Sequence, residues 1–324
     1  MKKTFISLAV AGIASSVNAA EIYSMDGVTL DLSGEVDVQY FKDQDKSVHS
    51  QWTINEANFG FDLTYEMTED LLVGTHMDID ANDGDSDNDG KDDVNRGDVY
   101  GKIVIDQVHT ITFGSQSTIL DEAGIGDDYE FGFTSFVENA DYEGDQVIKY
   151  KYDGGEMFYG GIAYLENRNS TSTTTFSDDY QVDGNIGARI NDLELTLFLA
   201  RAQEQDRDIS TYDIEARYTV GDWLFAGTYG TSQTEQTDGT DRDKYTYGVT
   251  ASWADGGRFE YAAGWAITDT KNSIESSVKN GDINDFYANV TYSLSTEVAL
   301  YAEIGLTDED DMETGYVVGL DATF

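Results

Sequence analysis

The chain reads as an all-β protein: a 16-stranded antiparallel β-barrel that crosses a membrane. Three observations point there. Apolar and polar residues alternate with period two through most of the 324 residues, the pattern of strands with a different environment on each face. Short turns and long polar segments follow one another in strict alternation, as they do when every second connection lies on the same side of a membrane. There is no proline, so no ladder is interrupted for want of an N–H donor.

The opening MKKTFISLAVAGIASSVNAA combines Lys2 and Lys3, an apolar stretch over 5–17 and a small-residue site at Val17-Asn18-Ala19. Residues 1–19 are therefore expected to be a secretory signal peptide, and residues 20–324 the mature barrel. After this leader no apolar run approaches the ~18–20 residues of a membrane helix, so a membrane-crossing chain must do so as a closed barrel. A formal net charge of −44 repels nucleic acid and attracts cations. The 21 Tyr, 15 Phe and 4 Trp are too many for a disordered acidic tail. With no cysteine, disulfides, thiolate catalysis and zinc–thiolate sites are excluded.

Taken in order, Val28, Leu30, Leu32, Gly34, Val36, Val38 and Tyr40 alternate with Thr29, Asp31, Ser33, Glu35, Asp37 and Gln39. Ala57, Phe59, Phe61, Leu63 and Tyr65 form the next apolar row, and a turn at Met67-Thr68-Glu69-Asp70 leads to Leu71, Val73, Met77 and Ile79. Gly97, Val99, Gly101, Ile103 and Ile105 follow, with Arg96, Asp98, Tyr100 and Lys102 expected on the opposite face. Beyond the turn at Asp106-Gln107 a strand runs to about Ser117. Later turns at 153–155, 191–192, 221–222, 254–257 and 295–296 separate similar rows, the last being Tyr316, Val318, Leu320, Ala322 and Phe324. The count is sixteen, and an even number brings both ends to one side of the membrane. Alternation alone does not separate this barrel from a soluble sandwich, whose polar face is simply its outside; the regular exchange of short and long connections does.

In the stretch 119–136, ILDEAGIGDDYEFGFTSF, the alternation stops. Loops this long inside a compact domain are usually functional, and this third external loop is expected to fold inward and narrow the barrel. The second long loop contains Asp85, Asp87 and Asp89 followed by Gly90, with Asp93 nearby. The D-x-D-x-D-G spacing gathers carboxylates around one point, as calcium loops do, but Arg96 stands where an EF-hand needs its twelfth-position Glu. The expectation is a weak calcium site or a solvated acidic loop, and no other cofactor. His49, His76 and His109 lack ligand spacing, and no nucleophile–base arrangement is apparent, so no enzymatic activity is expected.

At the two ends, Ala20-Glu21-Ile22-Tyr23-Ser24-Met25-Asp26-Gly27 with Leu30-Asp31-Leu32 and Gly34, and the terminal Phe324, the chain resembles the trimeric general-diffusion porins of Gram-negative outer membranes, of OmpC/OmpF and vibrio type. Thr68-Glu69-Asp70-Leu71 is similar to that family's second-to-third strand turn, and Glu130-Phe131-Gly132 to part of its third-loop core. The resemblance implies a homotrimer in outer-membrane lipid and lipopolysaccharide, delivered by the barrel-assembly machinery with Phe324 as its signal. It implies passive passage of ions and small hydrophilic solutes. Family pores face loop acids with a basic wall, but the matching positions here are Glu35, Asn58, Ser115 and, nearby, Glu143, opposite Asp127, Asp128 and Glu130. A ring of acids predicts a cation-preferring pore. A second reading, a secreted or surface acidic calcium-binding β-protein such as an adhesin, shares the leader and the D-x-D-x-D-G loop; it lacks a need for ~9–11-residue crossings on every strand.

If Asp85, Asp87 and Asp89 bind calcium between subunits, chelation lowers the melting temperature of the assembled protein, and replacing all three with Asn abolishes that dependence. A melting temperature indifferent to both chelator and substitution reduces the loop to a solvated acidic surface.

Overall fold

A computed structural model describes residues 19–81, 94–132, 143–155, 157–166, 179–204, 207–236, 241–271 and 281–324. Strand β1 (Ala20–Met25) turns through Asp26 and Gly27 into β2 (Val28–Lys42). There follow β3 (Gln51–Thr68), β4 (Leu71–Asp80), β5 (Asn95–Ile105), β6 (His109–Ser117), β7 (Glu143–Asp153) and β8 (Phe158–Glu166). Next come β9 (Tyr180–Ile190), β10 (Leu193–Gln203), β11 (Arg207–Val220), β12 (Trp223–Gln236) and β13 (Asp241–Ala254). The set ends with β14 (Phe259–Lys271), β15 (Gly281–Ser293), β16 (Val298–Thr307) and β17 (Gly315–Thr323).

From β2 to β17 every strand pairs antiparallel with the next, and β17 pairs back onto β2, with Tyr316 opposite Lys42 and Thr323 opposite Glu35. The result is a closed barrel of sixteen strands, as the sequence pattern predicts. Segment β1 is an addition that the pattern does not announce. It lies on the same edge of β2 as β17, further along, with Ala20 opposite Leu32 and Met25 opposite Val28. The two ends of the sheet meet at Gly34, whose N–H donates to the Phe324 carbonyl (2.9 Å) and whose carbonyl accepts from the Phe324 N–H (3.0 Å). A Cβ on Gly34 would stand 2.5 Å from the Phe324 ring and 2.9 Å from the Asn58 carbonyl, so only glycine fits beneath the terminal aromatic. The connection missed in the sequence, Asp26-Gly27, has positive φ at both residues (53° and 78°), the geometry that lets a two-residue hairpin follow the strand twist.

Side-chain burial is inverted relative to a soluble protein. Large apolar residues stand exposed on the outer face, Val249 at 53%, Ile186 at 60% and Val318 at 52%, while Gln181, Glu215 and Thr246 are at most 1% exposed. A surface of this kind belongs in hydrocarbon, with the polar row lining the interior. Aromatic residues gather near strand ends. Trp223, Trp253, Tyr261, Phe259 and Tyr292 form a chain of ring contacts beside the short turns, and Tyr40, Trp52 and Tyr316 cluster near the opposite rim. Such belts suit the two membrane–water boundaries.

One expectation from alternation fails locally. Asp98, Tyr100 and Lys102 keep to the polar face, but Arg96 does not. Between Met77–Val99 and Ile79–Arg96 the register shifts, two residues of β5 facing one of β4. This bulge turns Arg96 to the outer side, where it pairs with Asp145 at 2.6 Å.

Deleting Phe324 removes both backbone bonds to Gly34 and uncovers the seam. The expected result is a lower yield of heat-modifiable barrel in the outer membrane with export across the inner membrane intact; an unchanged yield would contradict a closing role for this residue.

Candidate functional site

The segment 119–132 leaves β6 through a single 3₁₀ turn, Leu120–Glu122, and then runs against the polar face of the sheet. Its backbone N–H groups end on carboxylates of three strands. Ile119 and Leu120 donate to Asp183 Oδ1 of β9 (3.0 and 3.1 Å). Gly124 donates to Glu215 Oε1 of β11 (2.5 Å). Tyr129, Glu130 and Phe131 all donate to Glu303 of β16 (2.9, 2.8 and 2.7 Å). The carbonyls are met as well. Arg217 donates to Gly124 O, Thr250 Oγ1 to Ile125 O at 3.0 Å, and Asn289 Nδ2 to Asp127 O at 2.6 Å. A segment without regular structure thus satisfies its peptide groups on the wall.

Apolar side chains pin it at both ends. Ile119 and Leu120 pack with Val147, Ala163, Leu165 and Phe198. Phe131 lies over Gly305 and Gly315, which are cross-strand partners; a Cβ on either would come within 2.3 Å of it. The ring of Tyr129 stacks on Tyr301 with centroids 3.8 Å apart. Tyr301 in turn donates its hydroxyl to Asp37 at 2.7 Å, and Gln39 Nε2 donates to Glu130 at 2.7 Å. Those contacts join the segment to β2.

Of the residues expected to act together, Asp127, Asp128 and Glu130 sit on this segment. Glu35 and Asn58 face each other across β2 and β3, and the neighbours Asp37, Glu56 and Asp321 repel Glu35 electrostatically. Ser115 lies apart, opposite Val99 of the apolar row and bonded to Asp145 at 3.1 Å. Glu143 is exposed at the end of β7, opposite Ser117. Asp85, Asp87, Asp89 and Asp93 lie outside the described residues.

Burial pushes the carboxyls of Asp127 and Glu130 above the ordinary range, against hydrogen bonds from Ser252 and Gln39. Asp128 keeps one side open to solvent, yet loss of surrounding water and the nearby Glu303 push it up to about 6. Most cations on the polar face are engaged: Lys102 with Asp62 (2.9 Å), Lys151 with Glu122 (2.5 Å), Arg217 with Glu215 (2.7 Å) and Arg189 with Asp153 (2.9 Å). Lys149 rests on the Ser117 carbonyl at 2.8 Å. His76 contacts Asp62 through Nδ1 (2.9 Å) and Asp78 through Nε2 (3.0 Å). Only the doubly protonated ring donates to both carboxylates. The anchors Asp183, Glu215 and Glu303, and the bridging role of His76, were missed in the sequence. Each anchor is one acid among many at inward parity, and the hint in the sequence is the small residues, such as Gly305 and Gly315, beneath the segment.

The sequence profile of the Gram-negative porin family matches residues 7–312. This chain belongs to the Gram-negative porins. It is 31% identical over 344 aligned positions to porin-like protein H of Photobacterium profundum, covering 100% of both chains. It is 24% identical to outer membrane protein U of Vibrio parahaemolyticus over 74% of this chain and 73% of that one. Among solved structures, in-vitro folded OmpT of Vibrio cholerae matches with a TM-score of 0.75 at 17% identity, over 94% of this chain and 100% of that one. The anion-selective porin of Comamonas acidovorans matches at 0.71, also at 17% identity, over 92% and 100%. At such identity these structures establish the fold alone. The porin is accordingly a multi-pass β-barrel of the outer membrane and a channel for small solutes.

Replacing Glu303 with Ala takes the acceptor from three N–H groups, each costing ~1–3 kcal/mol if left buried and unpaired. Limited proteolysis of the folded variant in detergent is then expected to cut within 119–132, where the parent resists. Equal resistance would mean that Glu303 does not hold the segment.

Proposed function

We propose that segment 119–132 constricts the lumen of this porin and that the pore prefers cations. Support for the constriction is the run of bonds from β9 around to β2, which lays the segment along the polar face. Support for the sign of selectivity is a single contrast. Most bases on the polar face are spent on carboxylate partners, while Asp127, Asp128, Glu130, Glu35 and Glu56 have no ion-pair partner among the described contacts. Low-dielectric walls focus such a one-signed field along a narrow aqueous path, drawing cations in and holding anions out. Added salt weakens the preference as the Debye length falls from ~10 Å at 0.1 M to ~3 Å at 1 M.

The working unit we propose is a homotrimer, in line with the trimer form of the fold-related OmpT. Its surroundings are outer-membrane lipid and lipopolysaccharide, its route there the barrel-assembly machinery, and calcium at the second loop its one candidate ion ligand. The apolar outer face disfavours a secreted adhesin.

The reversal potential in a salt gradient tests this reading. A cation-signed potential is expected, smaller at high salt and smaller when Asp127, Asp128 and Glu130 are made neutral together, with the channel still open. A potential near zero or of anion sign refutes the acidic constriction. Because the carboxyl of Asp128 is raised to about 6, its charge is present above that pH and lost as pH falls through it. Cation preference is therefore expected to drop across that window in the parent and to lose this step in Asp128→Asn.

A further inference from the structure

We propose that His76 is a selectivity-determining residue of the pore: as a fixed imidazolium it offsets the charge of Asp62 and Asp78 on the wall that faces segment 119–132. His76 stands on β4, on the polar face, and is 7% exposed. Its Nδ1 lies 2.9 Å from Asp62 Oδ2 on β3, and its Nε2 lies 3.0 Å from Asp78 Oδ2 on its own strand. A carboxylate accepts and does not donate, so each of these nitrogens carries a proton and the ring is a cation. Turning the ring over exchanges the two nitrogens and leaves both facing an acceptor. Asp62 meets a second cation on its other side, where Lys102 Nζ of β5 donates to Oδ1 at 2.9 Å. The ring is stacked on Tyr100 of β5, with centroids 4.8 Å apart. Gly60 is registered with Asp78, and a Cβ there would stand 2.7 Å from Asp78 Oδ1, so the glycine leaves the room that the carboxylate uses.

Charge balance gives the imidazolium its effect. Asp62 and Asp78 bring two negative charges, His76 and Lys102 two positive ones, and the cluster is neutral. Without the charge on His76, one carboxylate is left over. Asp62 keeps Lys102, so the one left over is Asp78, whose side chain is 35% exposed and open to water. The charges around the cluster are Asp31, which faces Asp62 across β2 and β3, and Asp98 and Lys149 within electrostatic reach. They are the same in every variant considered below.

The place of the cluster gives it a bearing on passing ions. The segment is anchored on β9, β11, β13, β15, β16 and β2. The cluster lies on β3, β4 and β5, the part of the ring between β2 and the root of the segment in β6. It also shares a row of cross-strand partners with that root. His76 faces Tyr100, Tyr100 faces Gly114, and Gly114 faces Val147, which packs with Ile119 and Leu120. Ions that pass between the segment and the wall run beside this row, a step that rests on the reading of 119–132 as the constriction. In a narrow aqueous path with low-dielectric walls, a single net charge acts on every ion that passes.

The test is a charge cycle on the intact porin, read as the reversal potential in a salt gradient near 0.1 M, where the Debye length is ~10 Å. His76→Gln keeps a donor and an acceptor but removes one positive charge, and the cation-to-anion permeability ratio is expected to rise severalfold. Asp78→Asn removes one negative charge, and the ratio is expected to fall by a similar factor. The double variant restores the balance and is expected to return to the parent's ratio. His76→Lys, which keeps the charge and loses the ring, is expected to stay at the parent's ratio. A role in packing alone predicts neither opposite shifts nor their cancellation. Nitrogen NMR of the histidine-labelled porin at neutral pH is expected to show two protonated ring nitrogens on the residue whose signals vanish in His76→Gln. Single variants that leave the ratio unchanged, shifts of the same sign, or a bare ring nitrogen on His76 overturn the proposal. Should His76→Gln fail to give a heat-modifiable barrel, Asp78→Asn and His76→Lys decide in its place. Opposite shifts that cancel, in a parent that prefers anions or neither ion, uphold the role of His76 and remove the acidic constriction instead.

Discussion

The constraint on which the rest depends is that a peptide group in hydrocarbon has no water to bond. A sheet satisfies that condition only when it has no edge. Here the closure falls at Gly34, where β1 and β17 share one side of β2 and the backbone of Phe324 bonds to both sides of the same glycine. Closing the ring fixes the faces. Once the apolar row is committed to lipid, every second side chain is forced inward, whatever its charge.

That consequence explains why so many acids are buried. In a soluble protein a carboxylate such as Glu303, 4% exposed, would be a liability. On the polar face it becomes the acceptor that an irregular peptide segment needs. Asp183, Glu215 and Glu303 take six N–H groups between them. Charge-assisted bonds of this kind are about twice as strong as neutral ones. The acids that remain on the segment and on β2 and β3 are the ones that the proposed constriction would turn toward passing ions.

Much of the barrel was legible in the sequence because its signals are local. Period-two rows and turn residues mark most of the connections within a few residues, and the stretch at 119 marks where the alternation stops. What could not be read is what depends on register. The bulge opposite Asp78 sends Arg96 outward, and no rule of alternation predicts it. Ser115 was aligned by resemblance to an inward position, yet it pairs with Val99. The anchors were hidden for a different reason. Inward acids are numerous, and only the folded path of 119–132 distinguishes Glu303, which takes three of its N–H groups, from Asp321 on the adjoining strand.

The assignment of faces is the central claim, and β7 offers the most direct measurement of it, since the chain contains no cysteine of its own. Single cysteines are placed at Ile148, Lys149, Tyr150 and Lys151 in the reconstituted porin and exposed to a water-soluble, membrane-impermeant thiol reagent and to a lipid-borne quencher. The account predicts strict alternation: positions 149 and 151 react from the water side, and a fluorophore at 148 or 150 is quenched from the lipid. Uniform behaviour across the four positions, or the opposite alternation, would contradict it.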